Sequence, residues 1–125
     1  MEQSAKPLVF VVDDEPLLLE LAAALLEPAG YLVKTFQDPD AALQAFASAK
    51  PRPAVVITDY AMHQMTGLDL IRECRQIHPK QKILMVSGTV DEDIYLYSRV
   101  KPDQFLAKPY QSKQLLGALD TLLKE

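Results

Sequence analysis

The sequence predicts an α/β domain: a five-stranded, all-parallel, doubly wound sheet with helices on both faces. Three observations carry this. Short apolar runs rich in β-branched residues alternate along the chain with longer stretches whose apolar residues recur at helical spacing. The first and third runs, around Leu8–Val12 and residues 54–57, are continuously apolar, as strands covered on both faces must be. Four of the runs stop abruptly at a polar or charged side chain: Asp13, Asp59, Ser87 and Lys108.

Taken in order, Leu8–Val12 is the first strand and ends at Asp13-Asp14-Glu15. Pro16 suits the first position of a helix, where its missing N–H is not needed. Leu17, Leu18, Leu21, Ala22, Leu25 and Leu26 give that helix an apolar stripe, and Pro28 and Gly30 end it. Residues 31–36 form the second strand. Asp38 is the expected N-cap of the next helix, with Pro39 at its first position and Ala42, Leu43 and Phe46 as its apolar face. Residues 54–59 form the third strand, and a helix over about 68–77 follows, closed by His78-Pro79. The fourth strand covers 82–86 and leads into Ser87-Gly88-Thr89. Asp91, Glu92 and Asp93 would open a short fourth helix through Ile94, Leu96 and Tyr97. Residues 105–107 make the fifth strand. Ser112 would cap a last helix, with Leu115, Leu116, Leu119, Leu122 and Leu123 on its inner face.

Five parallel strands joined by right-handed crossovers most commonly take the order 2-1-3-4-5, which sets strands one and three side by side at the switch point. Ligands of such sheets bind there, at the carboxyl ends of the strands. Asp13 and Asp14 end strand one and Asp59 ends strand three, so topology alone brings three carboxylates together. Crowded acids repel one another unless a cation joins them, and oxygen ligands without histidine or thiolate favour Mg²⁺ or Mn²⁺. Ser87 and Lys108, from strands four and five, reach the same edge. A lysine and a divalent ion would balance the three acids and leave room for phosphate. The chemistry that fits is phosphoryl transfer to a carboxylate, with Asp59 as nucleophile. Lys108, the Ser87 hydroxyl and the Gly88 N–H would receive the phosphoryl oxygens, and Gly88 lets the backbone come close.

These residues resemble the receiver domain of bacterial two-component response regulators, over essentially the whole chain. The resemblance rests on Asp13-Asp14, on Asp59 with Met62 and Gly67 at the family's spacing, on Ser87-Gly88, and on Phe105 three before Lys108-Pro109. It implies that Asp59 is the phosphoacceptor and that Asp13, Asp14, Asp59 and the Ala61 carbonyl hold Mg²⁺. It also implies a cis Lys108–Pro109 bond. Ser87 and Phe105 would be the switch pair, altering the face of the fourth helix, fifth strand and fifth helix. The implied partners are a histidine kinase or phosphotransfer protein and a downstream protein target, and a homodimer is compatible with that face. Departures from the family are His63, where proline is usual, the small Ala61 and Thr89 beside the phosphate site, and Lys101-Pro102 before strand five.

Composition narrows the alternatives. At 125 residues, 49% hydrophobic and 24% charged, the chain fits one globular domain, with a polar tail over about 1–6 and no output domain. The net charge of -4 argues against direct nucleic-acid or membrane binding. One cysteine, Cys74, no apolar run near the roughly 20 residues of a membrane span, and a polar N-terminus point to the cytoplasm. The acids before Pro16 are also compatible with simple helix capping. Competing classes are an interaction module without phosphorylation, a flavodoxin-like nucleotide binder and an aspartate-nucleophile phosphatase. A nucleotide binder is disfavoured because no glycine-rich loop follows strand one in this sequence. The phosphatase typically has a second aspartate where Ala61 stands. The expectation is therefore a switch and not an enzyme.

Overall fold

The computed structural model describes residues 6–88 and 98–124. Its strands are β1 (Leu8–Val12), β2 (Leu32–Phe36), β3 (Val55–Asp59), β4 (Lys82–Ser87) and β5 (Gln104–Ala107). Its helices are α1 (Pro16–Leu26), α2 (Pro39–Ser48), α3 (Gly67–Ile77) and a C-terminal helix (Ser112–Lys124). The sheet order is β2-β1-β3-β4-β5 and every neighbouring pair is parallel, as the sequence predicts. The helix expected over 91–97, with Thr89, lies outside the described residues.

The pleat sorts the central strands onto two cores. Val9, Val11, Val55, Ile57, Leu84 and Val86 pack against α1 and the C-terminal helix, chiefly Leu19, Leu26, Leu115 and Leu119. Phe10, Val12, Val56, Ile83 and Met85 pack on the other side against Phe46, Leu70, Ile71 and Cys74 of α2 and α3. Because β1, β3 and β4 are sealed on both faces, their carboxyl ends are the natural outlet for polar side chains.

Local chemistry explains most boundaries. Asp38 caps α2 by accepting the Asp40 N–H at 3.1 Å, with Pro39 following it. α3 starts one residue earlier than expected because Thr66 and Asp69 form a capping box: Thr66 N–H donates to Asp69 and Asp69 N–H to the Thr66 hydroxyl. Gly30, at φ +103°, turns the chain out of α1 in a backbone region that glycine alone enters freely.

Two expectations are corrected. The buried face of α1 is Leu19, Ala22 and Leu26, whereas Leu17 and Leu21 of the predicted stripe are 67% and 51% exposed. The helix is apolar nearly all round, so periodicity could not select a face; packing on the sheet did. Ser112 is the first helical residue, not the cap. Gln111 holds that position, its carbonyl accepting from Gln114 and Leu115 and its N–H donating to the Gln114 side chain at 2.7 Å.

Candidate functional site

Three strand ends and two loops meet at the switch point between β1 and β3. Asp13 follows β1 directly and is 5% exposed; Asp59 closes β3 and is 9% exposed. One oxygen from each of Asp13, Asp14 and Asp59 lies within 4.8 Å of the others. Lys108 enters from the end of β5, its N–H bonded to the Ser87 carbonyl at 2.9 Å, and this fixes its stem beside β4. Its Nζ donates to Asp13 Oδ2 at 2.9 Å and stands 3.4 Å from Asp59 Oδ1.

The backbone orients the acids as well. Asp13 Oδ1 accepts the Glu15 N–H at 3.0 Å, so Asp13 also opens the turn into α1 while its other oxygen faces Lys108. Asp59 Oδ1 accepts the Tyr60 N–H at 2.9 Å. Behind Asp59, the Gly67 N–H donates to the Tyr60 carbonyl at 2.7 Å and closes the loop that carries Ala61. A methyl group at Gly67 would stand 2.5 Å from the Asp59 carbonyl oxygen, so this close approach requires glycine.

Burial raises the Asp59 pKa above its ordinary 3.8; Lys108 pulls it down and Asp13 pushes it up, and the net direction is upward. Burial alone would lower the Lys108 pKa, but its bonds to Asp13 and Asp59 outweigh that and raise it. Lys108 therefore stays charged, yet its charge does not fully relieve Asp59. By count, the crevice sets three carboxylates against one ammonium.

That deficit is what a divalent cation would fill. An octahedral ion with bonds of about 2.1 Å needs ligand oxygens about 3–4 Å apart. The three aspartates offer all-oxygen donors within 4.8 Å of one another, a donor chemistry that suits Mg²⁺ or Mn²⁺. Ala61 is exposed on the loop two residues beyond Asp59.

The remaining predicted residues lie around this centre. Ser87, 1% exposed, ends β4, and Gly88 is exposed just beyond it with open space where a Cβ would stand. Phe105 is half-buried on β5, in register with Met85, and packs on the α2–α3 core. Lys108–Pro109 is cis, as the resemblance implies; Lys50–Pro51 is also cis and was not anticipated. The sequence marks His63 only as a departure from the family's proline. It is 87% exposed, yet its Nδ1 lies 3.0 Å from Asp14 Oδ2.

A doubly wound parallel sheet in this strand order, with an acidic, lysine-bearing crevice at its switch point, defines the flavodoxin-like class of α/β folds. Within it, the chain belongs to the response regulator receiver domain family, whose sequence model matches residues 9–120. The nitrogen assimilation regulatory protein NtrX of Azorhizobium caulinodans is 31% identical over 91% of this chain and 26% of its own length. The response regulator protein TmoT of Ectopseudomonas mendocina is 29% identical over 93% of this chain and 52% of its own length. The chain thus spans about a quarter of the first of these curated relatives and about half of the second. Among solved structures, chemotaxis protein CheY4 of Vibrio cholerae superposes with a TM-score of 0.87 at 28% identity, over 94% of this chain and 99% of that one. Response regulator protein TrrA of Thermotoga maritima, solved in complex with Mg²⁺-BeF, gives 0.83 at 28% identity over 93% and 98%.

Receiver domains of this family are signalling modules of two-component systems, generally without enzymatic activity of their own, that interact with histidine kinases and downstream effectors. They bind Mg²⁺ at an acidic pocket, and Asp13, Asp14 and Asp59 form an acidic cluster here. No helix among the described residues is long and apolar enough to cross a membrane.

Proposed function

We propose that this chain is a phosphoacceptor switch that takes a phosphoryl group onto Asp59 from the phosphohistidine of a kinase or phosphotransfer protein. The observation that carries the reading is the Lys108 ammonium, 2.9 Å from Asp13 and 3.4 Å from Asp59, set inside a trio of aspartates. In the transfer, the donor's P–N bond breaks as a carboxylate oxygen of Asp59 forms the new P–O bond, and the departing imidazole keeps the electron pair of the broken bond. Burial suits Asp59 to this role, since a poorly solvated carboxylate is the better nucleophile. Lys108 is near enough to exchange its contact with Asp59 for one with a phosphoryl oxygen. Ser87 and the Gly88 N–H, at the end of the neighbouring strand, would take the remaining oxygens.

Asp13, Asp14, Asp59 and the Ala61 carbonyl would hold Mg²⁺ or Mn²⁺. When bound, the ion supplies the positive charge that offsets the phosphoryl oxygens. Movement of Ser87 toward the phosphate and rotation of Phe105 would bias a two-state equilibrium that a downstream protein reads. Phe105 lies on the strand paired with β4, which ends at Ser87, so the β4–β5 ladder would carry a movement of one to the other. We place this function in the cytoplasm and assign the domain no nucleic-acid or membrane binding of its own.

The experiment is direct. Incubation with Mg²⁺ and a small acyl phosphate should add the mass of one phosphoryl group to the wild type and none to Asp59→Asn. Equal labelling of both proteins, or of neither, refutes the assignment.

A further inference from the structure

Each member of the aspartate trio has its own orienting partner. Asp13 is held by Lys108 and the Glu15 N–H, and Asp59 by the Tyr60 N–H with Lys108 beyond it. For the Asp14 carboxylate, the side-chain partner among the described residues is His63, at 3.0 Å. The geometry points to His63 as a positioning residue of the cation site. Its Nδ1–H donates to Asp14 Oδ2 and so fixes the rotation of a carboxylate that belongs to the trio. This inference rests on the reading of the trio as a divalent-cation site.

Two features support a positioning role over a chance surface contact. His63 belongs to the same short loop as Ala61, so one hydrogen bond ties together two of the proposed ligand-bearing segments. The next residue makes a second tie. With its amide turned to donate, Gln64 nitrogen lies 2.7 Å from Asp38 Oδ1 and 3.0 Å from Asp40 Oδ2, at the start of α2. Two consecutive side chains thus brace the loop against two separate elements. A proline would stiffen such a loop by restricting its own φ; here stiffness comes from side-chain bonds, one of which also aims a carboxylate. Partners of ligands are known to govern metal affinity in this way, by fixing orientation and raising basicity.

The test is calorimetric titration of the full chain with Mg²⁺ at one mildly alkaline pH, for wild type, His63→Ala and His63→Asn. His63→Ala should weaken Mg²⁺ binding by about tenfold, the lower end of what such partners contribute, because the ring is 87% exposed. His63→Asn, whose carboxamide can donate to the same oxygen, should recover affinity to within about twofold of wild type. Thermal unfolding without Mg²⁺ should be unchanged in both variants, which separates positioning from folding. The inference fails if His63→Ala binds as tightly as wild type or tighter, or if His63→Asn is as weak as His63→Ala. If wild type itself binds no Mg²⁺, the cation reading of the trio fails with it; wild-type binding with an indifferent His63→Ala overturns the role of His63 alone.

Discussion

Asp59→Asn should stabilise the fold in the absence of divalent metal. The three carboxylate oxygens lie within 4.8 Å of one another, and at that outer limit two carboxylates repel by about 3.5 kcal/mol at an effective dielectric near 20. Neutralising Asp59 removes two such repulsions. It also removes the attraction to Lys108 at 3.4 Å, about 5 kcal/mol on the same scale. The bond from the Tyr60 N–H survives, since asparagine keeps an accepting oxygen there. The balance favours the variant by about 2 kcal/mol, a rise of about 8 °C in Tm for a domain of this size. The sign of the pH dependence follows from the raised pKa. An acid whose pKa is higher folded than unfolded contributes stability fully below the unfolded value of 3.8. It loses that contribution as pH rises through the folded value. The advantage of Asp59→Asn should therefore be present at neutral pH and vanish toward pH 3.8. Thermal unfolding in chelator across that range measures it. An asparagine variant no more stable than wild type at pH 7 would refute the picture of a crevice short of positive charge.

Other expectations concern the same framework. Lys108→Met should abolish labelling by an acyl phosphate and, by leaving the buried Asp13 without its cation, lower stability by about 2 kcal/mol in chelator; denaturant titration and mass spectrometry read the two effects. Gly67→Ala should cost about 1–3 kcal/mol, because the new methyl meets the Asp59 carbonyl at 2.5 Å and Met85 Sδ at 3.2 Å, and should slow labelling by displacing Asp59. Thr66→Ala breaks the capping box of α3 and should cost about 1 kcal/mol with little effect on labelling. The Cys74 thiol, 1% exposed and pushed by burial to a pKa of about 12, should resist alkylation in the folded protein and react once it is unfolded.

The fold was largely legible because its signals are local. Apolar runs such as Leu8–Val12, Pro16 and Pro39 at helix starts, and Gly30 after α1 each act within a few residues. The carboxylate trio was legible for a different reason: parallel topology has few solutions, and the commonest for five strands sets strand ends one and three side by side, as observed. Where the local signal was degenerate, reading failed. The leucines of α1 surround the helix, so nothing within residues 16–26 could reveal that Leu19 faces the sheet and Leu17 the solvent. At the last helix, Ser112 and Gln111 both offer a capping side chain or carbonyl, and the turn after Lys108-Pro109 decides between them.

The sequence by itself determined which groups meet at the crevice, because the residue types at the strand ends are carboxylates, a hydroxyl and a lysine. Only the tertiary structure decided how those groups are aimed. Lys108 divides itself between Asp13 and Asp59, and His63 reaches back across the crevice to Asp14. Arg75 bonds the Lys101 carbonyl and Asp103, anchoring the approach to β5 on α3. Such contacts join residues far apart in the chain. They depend on distances of a few tenths of an ångström that no pattern of neighbouring residues encodes, and they exist only once the two cores have fixed the strands in register.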